Sequence, residues 1–546
     1  MRRSLTLLLA ALLVTSLVAP AAAASPASAS PASLPVDAAS GPTSIDATST
    51  DAAGVDATNT SATSDDEVGV WKGIRHNESL DVDQSDGLTD AELEKVVHRA
   101  MARVEYVRER PFKEDVQVET MTREEYKQTV SGRESNATHQ RWNDQVWKAL
   151  FMVGENESSA EAIQTVYGGS VTGFYSPSKE KIVLVVAEGE QLQISEATLI
   201  HELTHAMQDQ YHDLSSSRYV GATQDENLAI DGVVEGEANY IEDRYDQRCG
   251  AAWECLPEPE SSSGGGGEVH LGILITMLNP YSDGPVYVAD LIEEDGWAAV
   301  DERMEAPPTS TSQVIHRNDS YATTEIEFED TATGGWETYP NQGAGGAETV
   351  GEASIFTMFW YQSREFGANT FDWRDVLFNT SGPYDTYNYA HESSDGWAGD
   401  ELYPYRNDEG DAERDGYVWV TEWQTEEDAR EFHRTYLTML EAHDVEHRED
   451  GVHEVADGPF RGAYGIERDG TRVTIVHAQE PAEVLELRPG IELQQPTETE
   501  TSTTTETTEG SSTKPPTATT ENSAPGFGVV VAFAALVATA LLARRQ

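Results

Sequence analysis

The stretch SEATLIHELTHAMQDQY, residues 195–211, constrains this chain more than any other. At about 100° per residue, His201 and His205 project from one face of a helix, one turn apart, where both imidazoles can grip a single ion. Glu202 lies one step round, outside the inner shell of such an ion yet near enough to a water on it to take its proton. Ile200, Leu203 and Met207 form an apolar stripe beside the histidines, which predicts a buried helix with Ser195 as its N-cap. The plain alternative is two histidines and an acid decorating an amphipathic helix, and a third ligand would tell the two apart.

A candidate third ligand is in DGVVEGEANYI, residues 231–241, a second helical pattern with Val233, Val234, Ala238 and Ile241 as its apolar positions. Glu235 is the expected ligand, because one inward carboxylate packed against a two-histidine helix completes a site of three protein ligands plus water. Glu237 is the competitor, and two residues on it faces away if Glu235 faces in. Asp231 and Asn239 each stand four residues from Glu235, placed to accept a ring N–H from a ligating histidine and fix its tautomer.

His201-Glu202-Leu203-Thr204-His205 followed by Glu235-Gly236-Glu237-Ala238 resembles the gluzincin type of zinc metallopeptidase, whose third ligand is the Glu of an E-G-x-A helix. HELTHAMQDQ, the preceding GFYSPSKEKIVLV and the later PPTSTSQVIH are similar to a group of secreted bacterial and archaeal proteins with a HELTHALQDQ signature. The similarity runs from about Val166 to Leu440. It implies Zn2+ held by His201, His205 and Glu235, with Glu202 as general base. The chain departs from the best-studied branch in having Asn239, not Asp, four residues after the ligand Glu.

Composition says where such a site would work. With 36 basic against 97 acidic residues the net charge is −61, which repels nucleic acid and anionic membranes. Dense carboxylates keep a protein hydrated in molar salt, where the Debye length falls to ~3 Å, so a halophilic source is expected. Residues 1–24 read as a signal peptide, from Met1-Arg2-Arg3 through an apolar run to Ala22-Ala23-Ala24. Residues 25–66 are Ala, Ser, Thr, Pro and Asp and read as a disordered spacer. Residues 495–524 form a Thr/Glu-rich stalk. Residues 525–546 begin Pro525-Gly526-Phe527, continue as an apolar segment and end in Arg544-Arg545. That pattern resembles the archaeal Pro-Gly-Phe sorting signal and predicts an exported protein held at the cell surface by its C-terminus. Asn-x-Ser/Thr sequons at Asn59, Asn77, Asn136, Asn156, Asn318 and Asn379 agree with export. Cys249 and Cys255, the only cysteines, are expected to form a disulfide closing a small loop.

Residues 67–390 are expected to form a helix-rich, zincin-like domain with a small sheet, and residues 391–494 a smaller α+β module. The fold class is therefore α+β. Residues 81–109 read as helical, with Leu93, Val96, Val97, Ala100, Met101 and Val104 at helical spacing. Residues 171–177 and 182–186 predict a hairpin whose second strand serves as an edge along which an extended peptide can lie. Residues 261–267 read as a Ser/Gly loop, 269–278 as an apolar stretch, and 287–304 as a helix ended by Pro307-Pro308. Residues 347–363 predict a buried helix. In the last module Tyr417–Trp423, Val473–His477 and Val484–Leu487 read as strands and 426–442 as a helix capped by Thr425. His316 is a lone histidine, read as structural. The expected function is hydrolysis of a peptide or protein substrate. The rivals are an adhesion or envelope protein with a closed, four-ligand structural metal, and a zinc amidase acting on a non-peptide polymer.

Overall fold

The computed structural model describes residues 67–131, 136–170, 172–186, 191–259, 269–378, 380, 382, 384–409 and 413–493. The signal peptide, the spacer, the Ser/Gly run at 261–267, the stalk, the C-terminal tail and sequons Asn59 and Asn379 lie outside them. The fold is α+β. No helix among the described residues is long and apolar enough to cross a membrane.

Helices surround the candidate site. Ser195 caps the helix Glu196–His212, its hydroxyl accepting from the Thr198 amide at 3.2 Å. This histidine helix packs on the glutamate helix Gln224–Asp246, which in turn packs along Leu271–Asp295. Ile200, Leu203 and Met207 share a core with Val96, Val97, Ala100 and Val104 of the helix Asp90–Arg108, which Thr89 and Glu92 open with a capping box. A small sheet orders its strands Gln117–Thr122, Lys181–Val186, Gly173–Ser176. Lys181–Val186 is therefore the middle strand, paired in parallel on one side and antiparallel on the other, and the edge nearer the histidine helix is Gly173–Ser176. The expected hairpin forms, but with its roles exchanged, because Gln117–Thr122 covers the flank that would have been open.

Two glycines of the glutamate helix determine how closely the next helix approaches. A Cβ on Gly236 would stand 2.6 Å from the backbone carbonyl of Gly284, and one on Gly284 would stand 2.5 Å from the Gly232 oxygen. Only glycine permits this backbone contact, which explains the Gly that follows Glu235 in the motif. The partner helix contains Pro280 and Pro285, where the sequence suggested an apolar stretch and a separate later helix. Lacking N–H groups, these prolines release the carbonyls of Thr276 and Tyr281. Buried Asn279 donates to Asp283 at 2.7 Å in the same segment, which holds a helix through a composition that locally argues against one.

A seven-stranded antiparallel sheet follows, in spatial order Glu337–Thr338, Trp397–Asn407, Arg414–Trp423, Arg472–Ala478, Gly462–Asp469, His453–Val455, Glu446–His447. Trp397, Trp419 and Trp423 pack with Phe432 and Tyr436 of the helix Glu426–Leu440 and with Ile355 and Phe359 of the helix Gly351–Tyr361. Residues 484–487, expected as a strand, belong instead to the helix Pro481–Leu487. Pro481 in its first turn and a Glu480–Glu483 capping box outweigh the β-favouring Val484.

Cys249 and Cys255 are disulfide-bonded. The short loop they close presents the Glu254 carbonyl to Arg103 at 2.7 Å and the Leu256 amide to Glu196 at 3.1 Å. Glu196, the first residue of the histidine helix, is fully buried and also accepts from Arg99, Arg103 and Tyr245. Every lone pair of this buried acid has a donor within reach, as burial of a charge requires.

Candidate metal centre

The structure brings His201, His205 and Glu235 together, all buried, with ligating atoms within 4.8 Å of one another. The two Nε2 atoms lie 3.1 Å apart, and Glu235 Oε2 stands 3.2 Å from one and 3.3 Å from the other. Tetrahedral ligands about 2.0–2.1 Å from a common ion are separated by roughly 3.3 Å, so the three atoms are spaced almost as a metal would space them.

The rings are held from behind. Gln208 donates its amide nitrogen to the Val234 carbonyl and to Glu237 Oε2, both at 2.9 Å, which turns its oxygen toward His205 Nδ1 at 2.8 Å. His205 must therefore carry its proton on Nδ1. His201 Nδ1 faces the Glu242 carboxylate at 3.1 Å, which fixes the same tautomer there. Both Nε2 lone pairs then point at the Glu235 oxygen, and three acceptors converge with no donor between them. Such a cluster calls for a cation or a proton at its centre. Without an ion, burial disfavours a charged His201 ring, but Glu235 and Glu242 outweigh burial and hold its pKa well above the ordinary value. Burial likewise opposes a charged Glu235, yet the two rings outweigh it and hold the acid down at about 2.

Glu242 and Gln208 thus take the ring-supporting role expected of Asp231 and Asn239. Asn239 instead donates its side chain to the Glu235 carbonyl at 2.9 Å, one turn back along its own helix, and Asp231 is half-buried one turn before Glu235. Two signals in the sequence bear on this. Glu242 follows Glu235 by seven residues, two turns along the same face, and Gln208 follows His205 by three. Glu237 does face away from Glu235, into a buried ion pair with Arg108. Arg108 also meets Asp301 at 2.6 Å. The ring of His205 is therefore the inner end of a chain running through Gln208, Glu237 and Arg108 to Asp301.

Glu202 is fully buried. Its Oε2 accepts from the Tyr175 amide of the edge strand at 2.7 Å, while its Oε1 has no hydrogen-bond partner. Burial, only partly offset by the two histidines, raises its pKa above the usual carboxylate value. A bare oxygen on a buried carboxyl of raised pKa, beside an ion site, is equipped to hold and pass on a proton. The Tyr281 ring lies parallel to His201 with centroids 6.4 Å apart and forms part of the wall.

His316 is accounted for by packing. Its Nε2 stands 2.9 and 3.0 Å from the two oxygens of buried Glu352, and Ser312 donates to the same carboxylate at 2.6 Å. With Asp395 these residues also offer three ligating atoms close together, but the ion pair satisfies His316 and Glu352 as they stand.

Residues 337–488, which contain the seven-stranded sheet and none of the residues above except Glu352 and Asp395, match the family model described as Domain of unknown function (DUF8575). Residues 524–546 match the PGF-CTERM motif. The protein is exported and anchored at the cell surface through its C-terminus. No curated protein and no solved structure matches the chain.

Proposed function

We propose that this surface-anchored protein is a zinc-dependent peptidase with a zincin-like catalytic domain. The observation that carries the reading is the convergence of three hydrogen-bond acceptors, His201 Nε2, His205 Nε2 and Glu235 Oε2, beside the unpartnered Oε1 of Glu202. Two neutral imidazoles and one carboxylate are a donor set suited to zinc, and they fit it in number and spacing. Bound there, zinc would lower the pKa of a coordinated water and polarise a scissile carbonyl.

The remaining work falls to the chain. Gln208 and Glu242 keep both rings in the tautomer that leaves Nε2 free. The Tyr175 amide holds one oxygen of Glu202 so that the other is presented to a water. Glu202 accepts that water's proton and delivers it to the leaving amine. The edge strand that orients Glu202 is the one with which an extended substrate would pair. Among the described residues the ligating group numbers three, which favours an open catalytic position over the closed, four-ligand site of a structural metal.

The test is metal analysis and casein cleavage in molar salt, native protein against Glu202→Gln. Retained zinc with hydrolysis reduced by about 10²–10⁴-fold supports the reading. Equal hydrolysis by both forms removes Glu202 from its role, and failure of the native protein to retain zinc removes the metal.

A further inference from the structure

The opposite side of the glutamate helix carries a separate feature. A cavity of about 540 Å³ is bordered by Tyr106, Tyr240, Arg244, Arg248, Ile292 and Trp297. Tyr240 and Arg244 follow Glu235 by five and nine residues, which at about 100° per residue turns them away from the candidate metal ligands. The volume lies within the roughly 300–1,000 Å³ typical of small-molecule sites.

Its charge is unusual for this chain. With 97 acidic residues against 36 basic, a carboxylate is the commonest charged neighbour an arginine can find. Arg244 and Arg248 are half-buried, yet neither pairs with a carboxylate among the described residues. Arg244 bonds Gln247 at 3.3 Å and the Tyr384 hydroxyl at 3.5 Å, and Arg248 bonds the Arg244 carbonyl at 2.5 Å, all through Nη1. The Nε and Nη2 donors of both have no protein acceptor there. Packing holds the guanidiniums in place, since Arg244 lies over the Tyr240 ring at 5.8 Å and Arg248 over Trp253 at 5.4 Å. Two pre-positioned cations with unused donors therefore stand beside an aromatic and aliphatic wall. Tyr106, at 44% exposure, leaves part of that wall uncovered. Glu109, the one acid on the lining, disfavours a second negative charge on whatever enters.

We propose that this cavity binds a monocarboxylate with an apolar or aromatic body, the acid group against Arg244 and Arg248 and the body against Tyr106, Tyr240 and Trp297. Charge-assisted, bidentate contacts of this kind survive salt better than distant attraction, because the pair is in direct contact. The carboxylate can come from the free C-terminus of a peptide or from a small organic acid. The site is independent of the metal reading and stands or falls without it.

The experiment is calorimetric titration of the full chain in molar sodium chloride with N-acetyl-Leu-Phe, with its C-terminal amide and with 3-phenylpropionate. Saturable binding of an acid, with the amide about tenfold weaker or worse, is the expected result. A preference for the dipeptide acid assigns the site to peptide ends, and equal binding of phenylpropionate assigns it to small acids. Arg244→Gln is expected to weaken acid binding about tenfold while leaving zinc content and casein cleavage unchanged. Absence of saturable binding by the native protein, or equal binding of acid and amide, overturns the proposal whether or not the variant folds.

Discussion

Gln208 accepts a hydrogen bond from His205 Nδ1 at 2.8 Å and is itself pinned at its other end by Glu237 and the Val234 carbonyl. A neutral amide on one ring and the Glu242 carboxylate on the other make the two histidines unequal, although their spacing in the sequence makes them look alike. Replacing Gln208 by Ala frees the His205 ring to rotate and change tautomer. Zinc affinity should fall by about 10–100-fold in a competitive chelator titration, and Glu242→Ala should do the same through His201. Unchanged affinity in both variants would show that the rings need no support.

Arg108 lies one link further out. Arg108→Met leaves Glu237 as a buried charge without its cation, and breaking a buried pair in this way costs about 3–5 kcal/mol. The melting temperature should drop markedly. The double variant Arg108→Met, Glu237→Met should recover much of the loss, while zinc affinity stays reduced because Gln208 has lost an anchor.

Gly236 adjoins Glu235 and touches the backbone of Gly284. Gly236→Ala forces the two helices apart, at about 1–3 kcal/mol for overpacking, and carries Glu235 with it. Lower thermal stability together with reduced zinc retention is expected. Lower stability with zinc retained in full would mean that the helices adjust without moving the carboxylate.

Two buried acids set a pH dependence. Burial raises Asp225 to about 7, against the Thr311 donors that favour its charge, and raises Glu348 to about 8, against the Gln224 amide. Both folded values lie above the ordinary carboxylate range. Their stabilising contribution is therefore complete at acidic pH below that range and is lost as pH rises through about 7 and about 8. The melting temperature should decline as pH rises from about 4, the ordinary carboxylate range, to about 8 and level off above it, and Asp225→Asn with Glu348→Gln should flatten that decline. An unchanged slope in the double variant would place the dependence elsewhere.

The parts of the fold legible in the sequence were those governed by local rules. Ser195 and Thr425 cap helices where an N-cap side chain was expected, and the apolar stripe of Ile200, Leu203 and Met207 is buried. Contacts between elements were less legible. Lys181–Val186 reads as an edge until Gln117–Thr122, distant in sequence, pairs with it. The helix Leu271–Asp295 runs through Pro280 and Pro285, where packing against Gly232 and Gly236 overrides local propensity. Glu242 and Gln208 were within reach of a periodicity argument. Asn239 and Asp231 stand one turn from Glu235, whereas the ring of His201 reaches two turns along, to Glu242.

The loop closed by Cys249 and Cys255 touches Arg103 and Glu196 at the foot of the helix that carries both imidazoles. Thiol reductants in a purification buffer would thus loosen the base of the metal helix, five residues before His201. Recombinant material made in a reducing cytoplasm would start with that clamp undone, so weak zinc uptake in such a preparation would reflect how it was made and not what the native protein can hold.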